Sequence, residues 1–160
     1  MERLAKKLVD IAPIREPYDA NLYEAIHLLD ERWMVLVHPA HRLAVPAKRF
    51  VTWEELSQEE LMVPTQRIEE IAGWFAEKEL TCRITCAFSP LTNAVAMVEH
   101  NLGVAILPDS ACHALRGRNL KAIPIEDSPT SGVAVLWHRQ TELTGVTERF
   151  IAYLRERMRS

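Results

Sequence analysis

The stretch SPLTNAVAMVEHNLGVAILP, residues 89–108, predicts a helix that is followed at once by a buried strand. Ser89 is a favoured residue for the N-cap of a helix, and Pro90 suits the first helical position. The apolar residues of the predicted helix lie on one side of it: Ala94, Val95, Met97 and Val98. This pattern indicates a helix that packs one face against a core.

A left-handed turn is predicted between this helix and the strand. Asn101 tolerates the left-handed backbone conformation that ends many helices, and Leu102 can then pack back on Met97. The apolar run 103–107 predicts a strand that is buried on both faces. Pro108 closes that strand, because proline cannot continue a central strand.

Further strands and helices are predicted on both sides of this unit. The predicted strands are residues 8–14, 33–37, 61–63, 82–88, 103–107, 120–125 and 132–138. The predicted helices are residues 52–57, 67–79, 89–101 and 109–115, and a last helix that begins at Thr144. The first of them begins with the capping box of Thr52 and Glu55. The last carries an apolar stripe of Val146, Phe150, Leu154 and Met158. Strands that alternate with helices predict an α/β fold with a largely parallel sheet.

Two of the three cysteines, Cys82 and Cys86, lie four residues apart in the predicted strand 82–88. Strand alternation predicts that both side chains point to one face, with their Cα atoms about 13 Å apart. That separation exceeds the limit of roughly 7 Å for a disulfide. Because free cysteine is commonly buried, we expect reduced, buried thiols.

The composition excludes several classes of protein. The 160 residues are 48% hydrophobic and 26% charged, and the formal net charge is -3. A dedicated nucleic-acid binder usually carries a strongly basic face, so direct DNA binding is not expected. The sequence shows no signal peptide and no run that approaches the roughly 20 apolar residues of a membrane helix. We therefore expect a cytoplasmic protein without membrane contact.

Motifs for catalysis, metals and cofactors are not found. The six histidines do not fall in a metal-ligand pattern with nearby Cys or Glu residues. The sequence contains neither a glycine-rich phosphate loop nor a Gly-x-Ser-x-Gly nucleophile motif. We therefore expect no enzyme activity, no metal and no cofactor.

Two segments that follow predicted strands are candidate binding sites, since ligands of open parallel sheets bind where strands lead into helices. Thr65, Gln66 and Arg67 start one helix, whose free N–H groups favour an anion and where Arg67 can add a bidentate contact. Phe88 and Ser89 precede the next helix and offer an apolar wall and a hydroxyl. Alternatively, Ser89 acts only as a cap and Arg67 is only a solvated surface charge.

The ordered set of motifs resembles the effector-binding region of LysR-type transcriptional regulators. The resemblance rests on Val63-Pro64 before a helix, Phe88-Ser89, residues 92–111, residues 29–44, residues 9–12 with Arg15, and residues 132–139 with the last helix. Arg42 replaces the proline that is usual in the family's His-Pro-Leu-Ala signature, and Asn101 stands where glycine is common. The resemblance covers nearly the whole chain.

This resemblance implies a fold like that of periplasmic binding proteins, with two α/β lobes joined by two crossover strands. Residues 1–37 and 132–160 would form a partial lobe one, and residues 38–131 would form lobe two. An effector, by resemblance a small carboxylate or another metabolite, would lie in the cleft. Thr65, Gln66, Phe88, Ser89 and Arg15 would face that cleft.

Two functional interpretations follow from the resemblance. The first is a module that senses a small anionic metabolite and reaches DNA only through a helix-turn-helix domain that the sequence lacks. The second is a dimerisation or interaction fragment of the same fold that binds no ligand. Because the resemblance implies a lobe one that is truncated at its N-terminus, we expect exposed sheet edge and apolar surface, and hence a homo-oligomer. A third interpretation is an enzyme or solute-binding protein of the same fold, since fold does not determine function.

Overall fold

The structure is a computed structural model that describes residues 2–115 and 117–158. The chain divides into two compact units. Unit 1 comprises the described residues up to Glu31 and those from Thr130 onward, and unit 2 comprises Arg32–Pro129. The predicted lobe boundaries stay a prediction, and the outermost residues of the predicted lobe one, 1, 159 and 160, lie outside the described residues.

Strands and helices alternate through much of the chain. The strands are β1 Ile11–Arg15, β2 Tyr23–Val37, β3 Glu60–Pro64, β4 Arg83–Phe88, β5 Val104–Pro108, β6 Lys121–Pro124 and β7 Thr130–His138. The helices are α1 Glu2–Ala5, α2 Trp53–Ser57, α3 Ile68–Ala76, α4 Leu91–Glu99, α5 Asp109–His113 and α6 Gly145–Arg157, and a 3₁₀ turn, Thr65–Arg67, precedes α3. Over the described residues, none of these helices has the length and apolar character needed to cross a membrane.

Strand β3 lies inside the sheet of unit 2. It runs parallel to β5 on one side and parallel to β4 on the other. Strand β2 runs antiparallel to both β5 and β6, so the order in unit 2 is β6-β2-β5-β3-β4. The sheet is therefore mixed: the parallel arrangement holds for β3, β4 and β5, and the crossover strand β2 runs against them.

The two faces of this sheet carry separate hydrophobic clusters. Cluster 1 includes Trp33, Val35, Leu61, Val63, Ile71 and Phe75, together with Trp53 and Trp74. Cluster 2 includes Leu36, Met62, Phe88, Ala94, Val98, Leu107 and Cys112. Because successive strand residues point to opposite faces, β3 contributes to both clusters. Helix α3 lies on the cluster 1 face, and helices α4 and α5 lie on the cluster 2 face.

A β-bulge in β4 overturns the prediction that Cys82 and Cys86 share a face. Leu61 pairs with Ile84 and Met62 pairs with Cys86, so Thr85 is an extra residue without a partner. An extra residue reverses the alternation beyond it. Cys82 and Ile84 accordingly pack on cluster 1, whereas Cys86 packs on cluster 2. All three cysteines are free, and Cys82 and Cys86 are half-buried rather than buried.

The predicted helix ends are partly confirmed. Thr52 and Glu55 form the capping box of α2. Asn101 has φ +55°, and the Leu102 N–H donates to the Met97 carbonyl oxygen at 3.0 Å, as expected for the left-handed stop. The assignment of Ser89 as N-cap is wrong. Pro90, with an extended backbone, takes the N-cap position of α4 one residue later, and no side chain caps this helix.

The chain enters and leaves unit 2 at neighbouring positions. The Trp33 N–H donates to Ser128 Oγ at 2.9 Å, and the Ser128 hydroxyl donates to the Pro129 carbonyl oxygen at 3.0 Å. One hydroxyl thus links the two ends of the unit, one residue inside its first residue and at its last.

In unit 1, the sheet order is β1-β7-β2, and β1 is antiparallel to β7. The first strand begins at Ile11 rather than at residue 8, and Leu8 is 69% exposed. Strand β2 begins at Tyr23, about ten residues earlier than predicted. Sequence reasoning missed the first half of this strand because that half mixes polar and apolar residues and is only partly buried.

The apolar stripe predicted for the last helix is confirmed for Leu154 and wrong for Val146, Phe150 and Met158, which are exposed. Ile151 is the buried residue of α6, and Leu154 packs beside it on a cluster that contains Trp137. Val146 and Phe150 are 76% and 40% exposed. Helix α6 has apolar residues on two faces, and periodicity alone did not distinguish the face that docks.

Two glycines provide a matched test of the fold. Gly103 has φ +155°, and a Cβ added there would lie 3.0 Å from the Glu60 carbonyl oxygen, whereas a Cβ on Gly73 in α3 meets nothing within 4 Å. We expect Gly103→Ala to lower the free energy of unfolding by about 1–3 kcal/mol. Gly73→Ala should raise it by about 0.5–1 kcal/mol, because alanine is the better helix former. Urea denaturation followed by tryptophan fluorescence measures both, and equal effects would contradict the described turn.

Candidate functional site

The carboxyl ends of β3 and β4 lie side by side. Pro64 and Phe88 are partners in the parallel register of these strands. Thr65 follows Pro64 and Ser89 follows Phe88, so these two residues lie at adjacent positions, just beyond the ends of two strands that are about 4.8 Å apart. The two segments that the sequence singled out meet at one edge of unit 2.

This edge is a switch point of the sheet. After β3 the chain enters α3 on the cluster 1 face, whereas after β4 it enters α4 on the cluster 2 face. When neighbouring parallel strands lead into helices on opposite faces, a crevice opens beyond their carboxyl ends. Ligands of open α/β sheets bind in such crevices.

The polar side chains at this edge are exposed to solvent. Thr65, Gln66 and Ser89 are all exposed. Over the described ranges, their side chains make no hydrogen bond, and α4 has no side-chain cap. The interpretation of Ser89 as a cap therefore fails, and its hydroxyl is left to face solvent.

Arg67 differs from a free surface charge. Its Nη1 lies 2.5 Å from Oε2 of Glu70, and its side chain is only 16% exposed. The pair spans the i, i+3 spacing from the 3₁₀ turn into the first turn of α3. Arg67 thus contributes a neutralised guanidinium whose position is set by Glu70.

The remaining two predicted residues are placed differently. Phe88 is 6% exposed and packs in cluster 2, beneath the edge rather than as an open wall. Arg15 belongs to unit 1, where its guanidinium pairs with the buried carboxylate of Glu31. Five of the six predicted residues therefore lie together at one edge of unit 2.

Sequence reasoning missed Asp109 at the same edge. Strand β5 is parallel to β3 on the side opposite β4, so its carboxyl end also reaches this edge. The available signal was the repeated pattern of an apolar strand, a proline and a polar residue, in Val63-Pro64-Thr65 and in Leu107-Pro108-Asp109.

The β5 side of the edge is electrostatically distinct from the β3–β4 side. Oδ1 of Asp109 lies 3.0 Å from Nδ1 of His113. Cys112 lies behind this pair, and burial, with a smaller contribution from the Asp109 carboxylate, raises the pKa of its thiol to about 12. The described residues contain no group of three His, Cys, Asp or Glu side chains arranged to hold a metal ion. Neutral hydrogen-bonding groups line the β3–β4 side, and a carboxylate–imidazole pair lines the β5 side.

Comparison with known proteins gives one family. The family model described as the LysR substrate binding domain matches residues 1–159. An uncharacterized HTH-type transcriptional regulator of Bacillus subtilis, YwbI, is 28% identical over 145 residues, which are 85% of this chain and 46% of that protein. The chain thus spans about half the length of this curated relative.

Solved structures share the fold at low sequence identity. The regulatory domain of Synechocystis CcmR in complex with 2-PG has a TM-score of 0.82 at 17% identity, covering 99% of this chain and 78% of that one. The effector binding domain of QuiR in complex with shikimate has a TM-score of 0.82 at 17% identity, covering 99% of this chain and 76% of that one. The predicted fold, α/β and like that of periplasmic binding proteins, is confirmed.

The raised pKa of Cys112 predicts its chemical reactivity. At pH 8, the ionised fraction of a thiol of pKa about 12 is about a thousandfold smaller than that of a thiol of pKa 9. Because only the thiolate reacts with an alkylating reagent, this fraction sets the labelling rate. Iodoacetamide should therefore label Cys112 at least a thousandfold more slowly in the folded protein than in urea. The folded rate should rise about tenfold per pH unit between pH 7 and 9. Mass spectrometry of the Cys112 peptide measures both rates, and fast labelling of the folded protein would contradict the described burial.

Proposed function

The chain belongs to the LysR substrate binding domain family, and from this premise we propose that it is a sensing module that binds a small anionic metabolite at the carboxyl edge of β3 and β4. The family is one of transcriptional regulators. We propose accordingly that the chain is a sensor without catalytic activity.

The observation that carries this proposal is the pair of free hydroxyls at the switch point. Thr65 and Ser89 follow partner residues in adjacent strands, and Gln66 adds an amide. Hydroxyls and N–H groups donate to carboxylate oxygens in bonds that are stronger than neutral ones. Exposed donors without protein partners fit a ligand that supplies the acceptors.

The ligand class follows from these donors and from the neighbours. Arg67 is neutralised by Glu70, so an anion would be held here chiefly by neutral donors. The structures of CcmR and QuiR hold 2-PG and shikimate. We propose a small carboxylate for this chain, and we propose that its effect reaches DNA through a separate helix-turn-helix domain.

Removing the hydroxyls should weaken effector binding. Thr65→Val and Ser89→Ala should each reduce the affinity about tenfold to a hundredfold, because one hydrogen bond to a charged group contributes about 1.5–3 kcal/mol. Calorimetric titration with a panel of small carboxylates that includes shikimate and 2-PG measures this. Thr81→Val, an exposed threonine before β4, is the matched control and should not change the affinity.

Two results would overturn the sensor proposal. One is the absence of binding across the panel, and the other is a ligand whose affinity neither Thr65→Val nor Ser89→Ala changes. Arg15 stays a prediction, and Arg15→Gln in the same titration tests it separately.

A second candidate function is self-association without ligand binding. Unit 1 exposes many large apolar side chains: Leu8, Val9, Leu22, Leu29, Val146, Phe150, Tyr153 and Met158. On α6, Val146, Phe150 and Tyr153 recur at i, i+4 and i+7, the spacing of a helix face that packs against a partner. We propose that this α6 face joins copies of the chain into a homo-oligomer.

A single charge on that face tests the oligomer. Phe150→Glu should weaken self-association at least tenfold, because it places a carboxylate in an apolar contact. Phe50→Glu is the control, since Phe50 has similar exposure, 44% against 40%, and lies in unit 2. Sedimentation velocity over a concentration series measures association. A monomer at all concentrations, or equal effects of the two variants, would contradict the proposed interface.

A further inference from the structure

A small cavity runs along the flank of α4. Its volume is about 130 Å³. The lining combines apolar and polar residues: Leu91, Thr92, Val95, Ala96, Glu99, Leu115 and Arg118. All of them belong to unit 2, and none belongs to the candidate effector site.

The cavity adjoins cluster 2. Ala94 and Val98 of α4 pack into that cluster, and Leu91 and Leu115, which line the cavity, are partly buried against it. Val95, which also lines the cavity, is a buried core residue and is only 3% exposed. The prediction that Val95 lies on the side of this helix that packs against the core is confirmed.

One end of the cavity carries a guanidinium with unused donors. Nη1 of Arg118 donates to Oε1 of Glu99 at 2.7 Å, and both side chains are partly exposed. Guanidinium has five N–H donors in a planar fork. Among the described residues, the Arg118 side chain makes this one hydrogen bond. Arg118 can therefore bind a second carboxylate beside Glu99.

We propose that this cavity is a second small-molecule site, selective for a monocarboxylate with an aromatic or branched apolar group. An enclosed apolar cavity of about 150 Å³ accommodates benzene. This cavity, at about 130 Å³, is slightly smaller but is partly open to solvent, so a ring can enter it with one edge exposed. The carboxylate of the ligand forms charge-assisted hydrogen bonds with Arg118. The cavity shares no residue with the effector site proposed above, and its nearest lining residue in the chain, Leu91, lies two residues after Ser89.

Phenylacetate is a suitable probe for this site. Titration of the full chain followed by ¹H–¹⁵N NMR should give chemical shift changes centred on residues 91–99 and 115–118. Two reference compounds separate the contributions of ring and charge: 2-phenylethanol keeps the ring without the charge, and acetate keeps the charge without the ring. Phenylacetate should bind at least fivefold more tightly than either.

Variants of opposite sign test the charge contact. Arg118→Gln should weaken phenylacetate binding at least fivefold. Glu99→Gln should strengthen it about twofold to fivefold, because Arg118 loses its competing carboxylate. Ala96→Leu should weaken it by filling the cavity. Arg83→Gln is the matched control, because it breaks another exposed Arg–Glu pair, with Glu60, outside the cavity.

The outcomes separate this proposal from the effector proposal. Binding that persists in the Thr65→Val, Ser89→Ala double variant supports a distinct site, and loss of binding there overturns it. Equal affinity for 2-phenylethanol and phenylacetate, or no effect of Arg118→Gln, overturns the carboxylate selectivity. Absence of binding with the wild-type chain overturns the site itself, whatever the result of the effector titration.

Discussion

The burial of β3 on both faces is the constraint on which the rest of unit 2 depends. Leu61, Met62 and Val63 are fully buried, and they point alternately into two separate hydrophobic clusters. A shift of one residue would exchange the clusters into which these three side chains point, and because each cluster is closely packed around its present members, the register is strongly specified. The register in turn places Pro64 beside Phe88 and brings the two candidate binding segments together.

Features set by local chemistry could be predicted from the sequence. The capping box of Thr52, the left-handed stop at Asn101 and the strand endings at Pro64 and Pro108 depend on residues close in the chain, and the structure contains all of them. These strand endings also located most of the candidate site. The Arg67–Glu70 pair has i, i+3 spacing, so this contact was accessible to sequence reasoning as well.

Features set by distant packing could not be predicted. The face that each cysteine of β4 occupies depends on an unpaired Thr85, which only the pairing with β3 reveals. The docking face of α6 depends on Trp137, a residue of another element. The role of Ser89 depends on where α4 begins, and Pro90 moved that start by one residue. In each case the local pattern allowed two arrangements, and tertiary contacts selected one.

The hydroxyl of Ser128 has a consequence for how unit 2 could be transplanted. It accepts from the Trp33 backbone N–H and thereby joins the second residue of the unit to its second-to-last residue. A segment whose two ends are adjacent can replace a short loop of a host protein without pushing apart the host residues on either side. Such segments tolerate domain insertion and circular permutation. The stretch 32–129 therefore has the geometry of a portable module, which could be cut from this chain and grafted into a surface turn of another protein.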